Sequence, residues 1–130
     1  MPDYDAKQGY EIAGFVWFQG WNDMVDSGTY PNHNKSDRFD LYSELLAHFI
    51  RDVRQDFKDP KLPFVIGVMG VSGVQEKPNY FRQAMAAPAS MGEFKGNVAA
   101  VETALYWDFA MEALLPKKGE INRGLGLSTI

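Results

Sequence analysis

A chain of 130 residues, 45% hydrophobic and 23% charged, has the size and make-up of one domain able to bury roughly two-thirds of its unfolded surface around a single core. A formal net charge of −4 with no clustered Lys/Arg footprint, Lys117-Lys118 being the only adjacent basic pair, argues against a nucleic-acid partner. No run approaches the ~20 apolar residues of a membrane helix, the opening M-P-D-Y-D-A-K-Q lacks a signal-peptide apolar region, and the absence of cysteine excludes disulfides, thiolate zinc sites and cysteine nucleophiles while leaving the compartment open.

Ile12 to Phe18 is a short, nearly continuous apolar run, the pattern of a strand covered on both faces. Asp40 to Phe57 has helical spacing, with Leu41, Tyr42, Leu45, Leu46, Phe49, Ile50, Val53 and Phe57 in one stripe. Asp40 is placed to cap that helix, Arg51, Arg54 and Lys58 suit its C-terminal dipole, and Pro60 stops it. Phe64 to Val68 reads as a second buried strand, Tyr80 to Ala87 as a short helix ended before Pro88, Asn97 to Thr103 as a third strand, and Asp108 to Leu115 as a last helix. This alternation predicts right-handed crossovers and a parallel sheet with helices on both faces. Leu45, Leu46, Phe49 and Val53 are expected to pack against it.

One connection is out of proportion. About twenty residues rich in Gly, Asn, Asp, Ser and Pro separate Phe18 from Asp40, where ~4–6 is usual. The segment begins at the carboxyl end of a parallel strand, where α/β sheets place their ligands, and Trp21, Tyr30 and Phe39 favour an ordered loop.

Gly20-Trp21-Asn22-Asp23 within this segment resembles the G-x-N-D block of the SGNH hydrolases, serine esterases on a flavodoxin-like α/β fold. F-V-W-F-Q-G-W-N-D, L-Y-S-E-L-L-A-H-F-I-R-D-V-R and L-P-F-V-I-G-V-M-G together are similar to the sialate O-acetylesterase-like branch, from about Tyr10 to Trp107. The resemblance implies a three-layer sandwich with a parallel sheet, incomplete here, and residues 1–130 as a single partial domain. It implies removal of acetyl groups from sialic acids or from polysaccharides such as xylan, with an acetylated carbohydrate as partner and no cofactor or metal. Gly20 and Asn22 would then form an oxyanion-hole corner, Asn22 through an amide NH2 that donates without titrating. Gln19, Trp21, Asp23 and Tyr30 would contact substrate. For Trp17 core packing is the plainer reading, with sugar stacking as the alternative.

The pattern also departs from the family. Trp21 stands where many relatives carry the glutamate of Q-G-E. Neither the N-terminal serine block nor the C-terminal D-x-x-H-like histidine block is found, and the closing G-L-G-L-S-T-I aligns with neither. The chain therefore reads as a central piece of an esterase, nearly inactive alone. Local substitutes are poor. Ser72 in G-V-S-G lacks the G-x-S-x-G elbow, His48 lies in the amphipathic helix, and His33 in P-N-H-N is a loop residue near the site. The spacing of Asp23, Asp26 and His33 matches no metal motif. A noncatalytic carbohydrate-binding or vestigial domain is the second hypothesis. A nucleotide binder, resting on Gly67, Gly70 and Gly73 alone, is the third.

Overall fold

The computed structural model describes residues 7–31 and 35–114. His33, Leu115, Lys117-Lys118 and the closing G-L-G-L-S-T-I lie outside them. The described chain runs β1 (Phe15–Trp17), α1 (Trp21–Val25), α2 (Asp40–Asp56), β2 (Phe64–Val68), α3 (Tyr80–Ala86), β3 (Val98–Glu102) and α4 (Phe109–Leu114). The strands lie in the order β1-β2-β3, and both pairings are parallel, Phe15 facing Phe64 and Phe64 facing Val98. The parallel α/β class expected from the alternation is the class observed.

β1 is shorter than its apolar run because a strand lasts only as long as its ladder. Its partner begins at Phe64, and Phe15 donates its N–H to the Pro63 carbonyl at 2.8 Å. Earlier in the run Ile12 has no ladder to join and stays exposed.

α2 and α3 cover one face of the sheet. Strand order never reverses, and right-handed crossovers stepping in one direction place their helices on the same side. Phe64, Ile66, Val68 and Val98 meet Leu46, Ile50, Phe81 and Met85 there in one core, with Phe15 and Trp17 at its edge. The opposite face carries Val16, 72% exposed, and Val101, 47% exposed, and the Phe18 ring lies over Gly67. The outer strands therefore alternate buried and exposed instead of being covered on both sides, and no second helical layer is present among the described residues.

α2 offers the core a narrower stripe than its sequence suggests. Tyr42, Leu46, Ile50 and Val53 are buried, with the small Ser43 and Ala47 beside them. Ser43 Oγ donates to the Ala84 carbonyl at 2.8 Å, tying α2 to α3. Leu41, Leu45 and Phe57 fall outside the contact, and Leu45, expected against the sheet, is 53% exposed. Phe39 occupies the N-cap position and makes no side-chain cap. Asp40 is instead the first helical residue, where its charge still complements the dipole. Arg54, the basic residue of the last turn, is buried and donates to the Leu62 carbonyl and to Asn97 Oδ1 at 2.8 Å, so it also stitches the amino edge of the sheet. α3 is capped by Asn79, whose Oδ1 accepts from Arg82 N–H, and Pro88 sits in the 3-10 turn Ala87–Ser90 that follows.

Candidate functional site

Each strand end on the carboxyl side is pinned by a side chain. After β1 the Gln19 carbonyl accepts from Tyr42 Oη at 2.9 Å. After β2, Arg82 donates to the carbonyls of Met69, Val71 and Gly73 at 2.9, 2.7 and 2.8 Å. Thr103 Oγ1, just past β3, donates to the Val68 carbonyl at 2.7 Å. Charge-assisted bonds of the Arg82 kind are the stronger ones, so this edge is held as a rigid frame.

From that frame the chain turns at Gly20 straight into α1, so the stretch expected to be irregular opens with a helical turn. The Gly20 carbonyl accepts from Met24 N–H at 2.9 Å. A side chain at position 20 has no room: a Cβ would lie 2.7 Å from Phe81 Cζ and 3.3 Å from Met69 Sδ. The glycine thus lets backbone settle on a buried ring.

The candidate residues divide into two groups. Gln19, Asp23 and Tyr30 line a cavity of about 230 Å³ together with Trp17, Tyr42 and Leu45. Gln19 Nε2 donates to Asp23 Oδ2 and Tyr30 Oη to Asp23 Oδ1, both at 3.3 Å, while Trp17 Nε1 makes a long 3.5 Å contact to Tyr42 Oη. Trp21 and Asn22 stand outside this cavity on the exposed side of α1. The Asn22 side chain and the Gly20 N–H have no hydrogen-bond partner among the described residues.

Tyr30 is buried with its ring against Phe39, and Arg38 Nε donates to its carbonyl at 2.8 Å. Burial, then the charge of Asp23 and the hydrogen bond to it, push the Tyr30 hydroxyl up to about 12. Burial also raises the Tyr42 hydroxyl, opposed by the Trp17 contact and aided by Asp23. Both phenols therefore stay protonated near neutral pH and act as donors. Asp26 is held below the usual carboxylate range, chiefly by a hydrogen bond from the Thr29 side chain and by the Gly28 and Thr29 N–H groups of its turn. Asp23 and Asp26 are thus engaged by donors of their own chain.

The improvised alternatives are not assembled among the described residues. His48 Nδ1 lies 3.4 Å from Arg51 Nη1 on the exposed side of α2, and Ser72 is exposed at φ 64°. The glycines of the supposed phosphate loop serve packing. Gly67 lies under Phe18, Gly73 under Phe109, and a Cβ on Gly70 would fall 2.5 Å from Thr103–Ala104 backbone. Tyr42, Arg82 and Thr103 escaped the sequence reading as site-building residues. A polar tip within an apolar stripe was the one visible hint, and only for Tyr42.

Residues 3–113 match the family described as carbohydrate esterase, sialic acid-specific acetylesterase. The chain belongs to that family. No curated protein and no solved structure matches it. The carbohydrate esterase match spans β1 through β3 and all of α4 but its last residue, and the three-stranded parallel sheet flanked by helices is consistent with an incomplete fold of the SGNH type.

Proposed function

We propose that this chain carries the oxyanion-stabilising corner and part of the substrate wall of a carbohydrate O-acetylesterase. The observation behind this reading is the exposed amide of Asn22, without a hydrogen-bond partner among the described residues, in the helix that follows β1 in a chain of acetylesterase family. An acetyl ester is cleaved when a serine hydroxyl attacks the carbonyl and a histidine takes the proton, then returns it to the leaving sugar oxygen. The carbonyl oxygen gains negative charge in that step. Asn22 Nδ2 and the Gly20 N–H are assigned as its donors, and a donor of this kind contributes roughly 3–4 kcal/mol. Gln19, Trp21, Asp23 and Tyr30 are assigned to the substrate wall, the buried Tyr30 acting through Asp23.

The serine and histidine are assigned to sequence blocks other than those of this chain, so the 130 residues alone are expected to release acetate from acetylated sugars very poorly. The test compares the chain alone with a longer protein that includes both blocks. In the longer protein Asn22→Ala should lower kcat by roughly 10²–10³ and leave KM nearly unchanged. Robust turnover by the chain alone, abolished by Ser72→Ala or His33→Ala, would overturn the assignment. The lack of an assembled serine–histidine pair among the described residues also suits a noncatalytic carbohydrate-binding domain, for which Asn22→Ala would alter binding and no turnover would appear in either protein.

A further inference from the structure

A cavity of about 420 Å³ lies at the amino edge of the sheet, where the end of α2 meets the loops leading into β2 and β3. The length of β2, five residues or roughly 16 Å, separates this edge from the one that carries Asn22. Nothing in the esterase reading uses it.

Three cations line the cavity, Arg51, Arg54 and Lys58, against one carboxylate, Glu93. Arg51 takes that carboxylate through Nε and Nη2, and these bonds chiefly hold Glu93 below the usual carboxylate range. Arg54 has no such partner. Its Nε and Nη2 donate to the Leu62 carbonyl and to the carbonyl and Oδ1 of Asn97, all uncharged. Its Nη1 has no hydrogen-bond partner among the described residues, although the residue is only 7% exposed. Since no fully buried side-chain nitrogen is left unsatisfied among them, Nη1 keeps a path to solvent, and this cavity is the opening that Arg54 lines. Both guanidiniums lie over the Phe94 ring, 5.5 and 5.4 Å from its centroid, which steadies their planes.

Lys58 adds a second sign of use. Its backbone is left-handed, φ 55°, just past the helix end where glycine is the usual residue. That conformation is costly for a residue with a Cβ, yet the lysine brings an ammonium to the cavity wall. The negative pole of α2 is muted here, because the carbonyls of Val53, Arg54 and Gln55 accept from the N–H groups of Phe57, Asp59 and Lys58.

The remaining donors select the shape of the anion. A planar carboxylate is held best by a guanidinium fork, and the forks are spent, on Glu93 by Arg51 and on carbonyls by Arg54. What is left is single and separate: Arg54 Nη1, the Lys58 ammonium and the Gln55 amide. Oxygens that diverge from a tetrahedral centre suit donors of that kind. We propose that this amino-edge cavity binds a tetrahedral oxyanion, phosphate either free or esterified to a sugar, through Arg54, Lys58 and Gln55.

The 130-residue chain is titrated by calorimetry at neutral pH and fixed ionic strength with inorganic phosphate, glucose 6-phosphate and glucuronate. Phosphate should bind with a Kd of about 1 mM or lower, and glucuronate at least about tenfold more weakly. Lys58→Gly relieves the left-handed backbone, so it should keep or raise Tm while weakening phosphate about tenfold. Lys61→Ala removes an exposed lysine outside the cavity and should leave the affinity unchanged. Glu93→Gln should tighten binding by removing the one like charge. Glucose 6-phosphate that binds as well as phosphate assigns the site to phosphate esters, and weaker binding assigns it to the free ion; either upholds the site. No binding of either, glucuronate as tight as phosphate, or equal effects of Lys58→Gly and Lys61→Ala would overturn it.

Discussion

Gly20→Ala separates two reasons for a glycine at the start of α1. If position 20 is small to admit substrate, alanine should damage activity and spare stability. If it is small to admit Phe81, the order reverses. The added Cβ would lie 2.7 and 2.9 Å from two ring carbons of Phe81. That ring cannot easily step aside: it is 2% exposed and wedged edge-on against Phe39 and Tyr42, with centroids 4.8 and 4.9 Å away. Overpacking of this sort costs about 1–3 kcal/mol. A loss of about 2 kcal/mol should lower Tm by roughly 6–10 °C in a domain of this size. Thermal unfolding followed by circular dichroism measures it, with Phe81→Leu as the partner in a double-mutant cycle. Leucine withdraws the ring carbons that alanine would strike, so Gly20→Ala should cost clearly less in the Phe81→Leu background, the remainder coming from the Cβ at φ 158° and its contact with Met69 Sδ. An unchanged Tm for Gly20→Ala, or full additivity in the cycle, would refute the packing explanation and return the glycine to the substrate.

Arg82→Ala should lower stability by about 2–3 kcal/mol in urea titration, since three carbonyls lose a shared charged donor, and hydrogen exchange should quicken around residues 69–73. Wild-type-like exchange there would mean the frame is held by something else. Tyr30 has a folded-state hydroxyl raised to about 12, above its ordinary value of 10. Its protonated form is thus favoured by folding: the stabilisation is complete below pH 10 and is lost as pH rises from about 10 to 12, by up to roughly 2–3 kcal/mol. Tyr30→Phe should flatten that alkaline decline in Tm, and an unaltered slope would contradict it. The open sheet face, with Val16 and Phe18 at 72% and 63% exposure, should drive concentration-dependent association of the 130-residue chain visible in sedimentation velocity. Val16→Lys should reduce it without lowering Tm, and a monomer at all concentrations would argue against that face as the cause.

The sequence by itself determined the three strands, α2, α3 and α4 and their kind, while α1 lay hidden in a stretch that reads as loop. Phe64 to Val68 was legible as a strand to the residue, because it lies between β1 and β3 with all but Val65 buried and its apolar run is continuous. The long helix was legible from a 3.6-residue period, and the parallel pairing from the alternation that forces crossovers. The G-W-N-D segment could be placed at a strand's carboxyl end for the same reason. Tertiary structure decided everything that depends on which surfaces meet. Leu45 and Leu46 are alike in propensity, yet only Leu46 faces the sheet, since α2 can present one narrow stripe and the approach of α3 at Ser43 and Ala84 selects it. Gly20 reads as a residue for ligand approach until Phe81, sixty-one positions later, is seen beneath it. Asp23 reads as an open carboxylate until Gln19 and Tyr30 close on it. Local periodicity records whether a residue turns inward, which is a property of its own backbone. It carries no record of the partner it meets there, because that partner arrives from a distant part of the chain.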